Sequence, residues 1–190
     1  MALQNDLQVA LKEWAAVCQA LGRGRQIILL RKGGIYESAG EFEIEHRQFL
    51  LFPTYLHQNA AMLKTEQHAE LKTVSAEPAK IHISLAAEIT DIVPMSKRAA
   101  MYALDDEHIW TPPLIDMRFN YRPQNPLYLL LLRAYRLLRP VTIANTPAYA
   151  GCKSWVPMEQ PIDTADAASV LDDGEFGRRR HSIIHRAAAM

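Results

Sequence analysis

Two cysteines in 190 residues, Cys18 and Cys152, are too few and too far apart in the chain to read as a disulfide framework, and Cys18 falls in an apolar stripe. Both are expected as reduced thiols. No apolar run reaches the roughly 18 to 20 residues that a membrane-spanning helix needs. The nearest, LYLLLLRAYRLL, is broken by Arg133 and Arg136. The opening MALQNDLQVALKEW lacks the cationic segment, apolar core and small-residue cleavage site of a secretory leader. Excess charge is missing too: lysine plus arginine and aspartate plus glutamate number 21 each. A balanced chain gives no bulk attraction to nucleic acid or membranes, so any such contact must come from a local patch. Gly-x-Ser-x-Gly is absent, and Cys152 in GCKSW has no local base, which argues against a nucleophilic hydrolase. No short-spaced ligand set suits zinc. The expectation is a cytoplasmic protein with no metal, no cofactor and no membrane contact.

What remains is an ordinary globular composition, 49% hydrophobic and 22% charged, enough to build a core. Leu7, Leu11, Trp14, Cys18 and Leu21 recur at helical spacing, so a helix is expected, capped by Asn5 or Asp6 and ended by Gly22 and Gly24. RQIILLRKGG reads as a buried strand closed by a Gly-Gly turn. EFEIEHRQFLLFPT begins with alternation at Phe42 and Ile44 and becomes continuously apolar, a strand that Pro53 should end. Residues 59–80 are polar, a short helix or excursion. KIHISLAAEITDIVPM is a third strand, bulged near Ala86-Ala87, followed by a short helix opened by Ser96. The proline-broken EHIWTPPLIDMRFNYRPQNP reads as loop. LYLLLLRAYRLLRPVTI fits helix or strand; a strand through Tyr128–Tyr135 continued by an extended Val141–Ile143 is the preferred reading, with Tyr149 and Trp155 as anchors of a last ordered segment. Strand runs with sparse helices predict an α+β fold on a mixed or antiparallel sheet. One domain is expected over residues 1–158, with 159–190 a weakly packed charged tail.

Three stretches carry candidate chemistry. Arg31 and Lys32 beside Gly33-Gly34 suit a phosphate, because glycines allow close backbone approach and the cations neutralise charge; a hairpin turn with solvated charges uses the same residues. Glu45-His46 and His57-Gln58 flank one strand, and nine peptide units at about 3.3 Å each keep them apart unless the chain folds back at Pro53. A turn there would bring Tyr55, His57 and Gln58 to a cleft edge, with tyrosine stacking a base and the other two reading its polar edge. EHIWTPPLIDMRFNYR interleaves His108, Trp110, Arg118, Phe119, Tyr121 and Arg122, the pattern of a stacking surface for single strands and equally of a loop pinned by its aromatics. RRRHSIIHR in the tail offers a further phosphate contact.

Two alternatives share these residues. A magnesium-dependent nuclease of the restriction-endonuclease type needs Glu-x-Lys on an apolar strand; Glu70-Leu71-Lys72 lies in a polar segment, although Glu41, Glu43 and Glu45 offer carboxylates. A noncatalytic protein-interaction module would use the aromatics as anchors. Binding is favoured over catalysis; an enzyme of this composition would be a hydrolase or phosphodiesterase.

The motifs LKEW, LLRKGGI, EHRQFLLFPTYLHQ, HIW, PLYLLLLRAYRL and GCKSW, spread over residues 7–158, resemble a bacterial family of unknown function. At greater distance, the order of helix, glycine turn, basic strand and apolar strands is similar to the PUA-like superfamily with its ASCH and EVE domains. That resemblance implies a small barrel with flanking helices and a cleft for RNA or a single base. Taken together, the expected ligand is RNA, single-stranded DNA or a nucleotide, held by Arg31, Lys32, Tyr55, His57, Gln58, His108, Trp110, Arg118 and Tyr121.

Overall fold

The computed structural model describes residues 3–32, 37–38, 41–42, 45–72, 74–151 and 153–189. Gly33-Gly34 and Cys152 lie outside the described residues. The elements in chain order are β1 (Asp6–Trp14), α1 (Ala15–Gly22), β2 (Ile28–Arg31), β3 (Glu37–Ser38), β4 (Glu41–Phe42), β5 (Gln48–Thr54), β6 (Lys80–Met95), α2 (Arg98–Tyr102), α3 (Pro112–Asn120), β7 (Leu127–Ala144), β8 (Trp155–Asp163), β9 (Ala168–Ser169) and α4 (Asp173–Ala188). Short 3-10 turns fill 60–62, 65–70, 105–107 and 147–149. No helix among them is long and apolar enough to cross a membrane.

The fold is α+β on a mixed sheet, as expected. The strands run in the order β2-β7-β6-β5-β1-β8, with β9 also on β7; β1 and β5 are parallel and the other pairs antiparallel. The ladder does not close into the barrel that the remote resemblance implied: β2 and β8 are its two ends. The sheet instead curls until the end of β2 meets the end of β1, where Arg31 donates to the Glu13 carboxylate at 2.8 Å and to the Lys12 carbonyl at 3.1 Å. Side chains stitch what backbone pairing leaves open.

β5 shows why its sequence is continuously apolar. Phe49 and Leu51 join one core cluster with α1, α2, α3 and α4, while Leu50 and Phe52 join a second on the other face. Both faces are covered, so no polar alternation survives. Pro53 lies inside the strand rather than ending it. β5 pairs with β6 only through Leu50, and beyond that point β1 is its partner, Glu13 lying opposite Pro53. A residue without an N–H is tolerated where one edge has no ladder to lose.

β7 is one strand of 18 residues running through Pro140. Its register against β6 breaks between Leu85↔Arg136 and Ile83↔Val141, so Pro140 sits in a bulge; a second break falls between Ile89 and Asp91. The bulges thus flank Ala86-Ala87 instead of occupying it.

Several expectations change. The predicted first helix is β1 for its first half, because neighbours on both sides supply ladder bonds that outweigh an accidental helical spacing. α1 starts without a local cap: the Ala16 N–H donates to Gln58 Oε1 at 2.9 Å, from 42 residues away. It ends as expected at the glycines, and Gly24 has φ +69°. α2 opens without a side-chain cap from Ser96. The stretch read as loop contains α3, since Pro112 and Pro113 occupy the first helical positions, where a missing N–H costs nothing.

The charged tail is a packed element. Asp172 caps α4 by accepting from the Glu175 N–H at 2.8 Å, and Phe176 and Ile183 enter the core. Its arginines, expected as a phosphate contact, are spent on carboxylates: Arg179 on Glu107, Arg180 on Asp91 and Arg186 on Asp106.

Candidate nucleic-acid interface

The curl of the sheet brings β2, α2 and α3 to one end of β1. Arg31, last residue of β2, holds Glu13 with both side chains close to fully buried, at 12% and 9% exposure. Glu13 is further fixed by accepting the Trp14 N–H at 2.8 Å. Arg118, in the last turn of α3, is near enough for Glu13 and Arg31 to act on its charge. Burial lowers the Arg118 pKa from its ordinary value, and Glu13 works in the opposite sense. The Nε atoms of Arg31 and Arg118 are buried without a hydrogen-bond partner. Arg118 makes no hydrogen bond or ion pair with any described residue. Arg31 therefore holds the Glu13 carboxylate directly, while the partly dehydrated Arg118 guanidinium feels that charge without bonding to it.

Around this pair the positive charge continues. Lys32 donates from Nζ to the Phe119 carbonyl at 2.6 Å, tying β2 to the end of α3; burial, then the charge of Arg98, lowers its pKa. Arg98 lies 5.5 Å from the Phe119 ring centre and 3.3 Å from Asp116. Arg122 lies 5.2 Å from the ring of Tyr121, which is 52% exposed. Among the described residues, Arg31, Lys32, Arg98, Arg118 and Arg122 face only Glu13 and Asp116. Such a surface attracts polyanions locally although the whole chain is neutral. A cleft of about 330 Å³ runs beside it, lined by Lys32, Phe119 and residues 123–127 among others.

The other candidates lie elsewhere. His108 and Trp110 are core residues, 0% and 4% exposed, not a stacking surface. Burial pushes the His108 pKa down to about 4. Its Nδ1 accepts the Trp110 N–H at 3.3 Å, leaving Nε2–H to donate to the Met101 carbonyl at 3.4 Å, the bonding of a neutral imidazole. After Thr54 the chain turns at Leu56-His57, and the Glu77 carboxylate receives the Tyr55 and Leu56 N–H groups at 3.0 and 2.9 Å. Gln58 is consumed in capping α1. Tyr55 lines one cleft, of about 340 Å³, and His57, at φ +67°, lines another, of about 620 Å³ with Trp14 and Lys153. At the far strand end His46 packs edge-on against Trp155 at 5.3 Å. Arg31, Lys32, Arg118 and Tyr121 thus gather at one end of the sheet, and the remaining five do not join them.

Glu13 and Arg98 escaped the sequence reading. Glu13 lay inside a presumed helix, and Arg98 had no aromatic beside it in the chain; its partner Phe119 is 21 residues away. Glu70-Leu71-Lys72 ends a 3-10 turn rather than a strand, and among the described residues no three His, Cys, Asp or Glu side chains converge as metal ligands.

A curled mixed sheet with a basic, aromatic end defines a fold class but no activity. The chain belongs to the family described as "Domain of unknown function (DUF1802)", which matches residues 10–182. No curated protein matches it. Among solved structures it is similar to an ASCH protein from Zymomonas mobilis, at 12% identity and a TM-score of 0.42, covering 92% of this chain and 93% of that one. Two single-substitution variants of that protein give 12% and 11% identity, TM-scores of 0.44 and 0.43, and coverages of 92% and 96%, and 95% and 99%.

Proposed function

We propose that the protein binds single-stranded nucleic acid across the basic end of the sheet, in the cytoplasm, where the buried thiol of Cys18 stays reduced. The observation that carries this reading is a pair of partly dehydrated guanidinium groups with one carboxylate near them: Arg31 is paired with Glu13, and Arg118 lies close enough to feel both charges but bonds to neither. A phosphodiester is the partner whose charge and acceptor oxygens match them. Lys32, Arg98 and Arg122 extend the backbone track, and Tyr121 offers a ring face to an unstacked base.

Fluorescence anisotropy of labelled RNA and DNA 12-mers tests this at low and moderate salt. Binding should weaken steeply as salt rises, and the Arg118→Ala/Arg122→Ala variant should bind at least tenfold more weakly, about the effect of losing one charge-assisted contact. Equal affinity of parent and variant removes the site. Binding that ignores salt turns the surface into a protein-docking face, for which exposed Tyr102, Met117 and Tyr121 supply apolar area.

A further inference from the structure

Away from the basic end, the cleft at Tyr55 is built by two interruptions of the sheet. β5 leaves β6 after Leu50↔Ala86, and β7 spends residues 137–140 where β6 spends only Ser84. Ser84 therefore has no register partner in either neighbour. A break of this kind re-aims side chains and is common beside binding sites. α1 roofs the opening with Ala15, Cys18, Gln19 and Gly22, leaving a cavity of about 340 Å³, within the range that holds small molecules.

Its chemistry is one-sided. The walls include Leu85, Leu137, Pro53 and Pro140, and no aspartate or glutamate is among its described lining residues. The Tyr55 and Ser84 hydroxyls and the Gln19 amide make no side-chain hydrogen bond with any described residue. Arg136 gives one bond, from Nη2 to the Gly22 carbonyl at 2.5 Å. His82 contacts Thr142 Oγ1 through Nδ1 at 3.3 Å, which leaves Nε2 for another partner. The Cys18 thiol, its pKa raised by burial, stays protonated. A largely apolar, open cleft with several hydrogen-bond donors, a guanidinium and no carboxylate among its described lining residues selects against cations and for an acceptor-rich head group.

We propose that this cleft binds a small organic anion, its acidic head at Arg136 with Tyr55 and Ser84, and its apolar body against Leu85, Leu137 and Pro53. The site shares no residue with the basic end of the sheet, and the two readings stand or fall separately.

The test uses the full chain and four probes matched in their ring: benzoate, phenyl phosphate, benzyl alcohol and benzylammonium. Calorimetric titration and saturation-transfer NMR should show binding of one or both anions, weaker binding of the alcohol and none of the ammonium. Benzoate against phenyl phosphate separates a carboxylate from a phosphate head. Arg136→Leu should weaken the better anion about tenfold, the scale of one charge-assisted hydrogen bond. Tyr55→Phe should weaken it severalfold, and Arg118→Ala should leave it unchanged. Circular dichroism melts confirm that each variant folds, and a labelled RNA 12-mer titrated in parallel reports the other site. Benzylammonium binding as tightly as benzoate, an Arg136→Leu variant with undiminished anion affinity, or no uptake of any probe overturns the proposal.

Discussion

Replacing Glu13 by glutamine separates two consequences of the seam between β1 and β2. The substitution keeps the shape of the side chain and one acceptor for the Trp14 N–H, so it removes charge and little else. In the parent, Arg31 and Glu13 lie 2.8 Å apart at 12% and 9% exposure, and Arg118 stands beside them without a hydrogen bond or ion pair to any described residue. Removing one member of a buried pair costs about 3–5 kcal/mol, because the surviving charge is left uncompensated. Glutamine still accepts one hydrogen bond, so the cost falls to or just below the lower end of that range, about 2–3 kcal/mol, or a fall in Tm of roughly 5–10 °C for a chain of this size. Urea denaturation at pH 7 measures it, with an unchanged m-value showing that the same surface unfolds. Affinity should move the opposite way: with its only carboxylate gone, the guanidinium pair should hold a single-stranded 12-mer more tightly at low salt, and the gain should fade as salt rises. Loss of less than about 1 kcal/mol, the scale of an exposed pair, would show that the seam is not held by this contact. Weaker oligonucleotide binding by a folded Glu13→Gln protein would sink the view that Glu13 competes with phosphate.

Three further outcomes are expected. His108 has its pKa lowered from 6.5 to about 4, so as pH falls through that window the unfolded chain takes up a proton the folded one refuses. Stability complete above pH 6.5 is then lost by up to about 3 kcal/mol toward pH 4, and His108→Gln should flatten that part of a urea-stability profile. Gln58→Ala uncaps α1 and should cost about 1 kcal/mol by urea melt; no measurable loss would mean that the Ala16 N–H finds another partner. Phe176→Ala should cost about 3 kcal/mol and expose α4 to limited proteolysis, whereas an unchanged digestion pattern would show that its arginine contacts suffice to hold it.

β2, β5 and β6 were legible because their apolar runs are buried on both faces and leave no competing pattern, whereas the leucine-rich β7 fits helix or strand by residue type. β7 is a strand despite its seven leucines, since Leu129 to Leu132 are all buried, which a single helical face does not allow. What escaped depended on partners distant in the chain. β1 and α1 share a five-residue spacing by coincidence, and the cap that divides them comes from Gln58. α4 looked like solvated charge because its acids, Asp91, Asp106 and Glu107, sit far upstream; the local signal, Asp172 three residues before Glu175, was present and unread. In the candidate site, Arg31, Lys32, Arg118 and Tyr121 announced themselves by residue type. The burial of His108 and Trp110 did not, because aromatic residues beside prolines serve a surface or a core equally well.

The borrowed cap of α1 also bears on how the molecule assembles. Eight residues are too few for a helix to persist alone in water, where about 12–15 are marginal even for good formers. Its first turn waits on an amide that arrives only when the β5 segment has docked alongside β1. Helix and parallel strand pair must then consolidate in one step across a loop of some forty residues, placing slow, non-local contacts at the start of folding. In a kinetic mutant series, Gln58→Ala and Leu51→Ala should slow refolding in equal proportion to the stability each removes; a helix that formed before β5 docked would leave the refolding rate insensitive to Gln58→Ala.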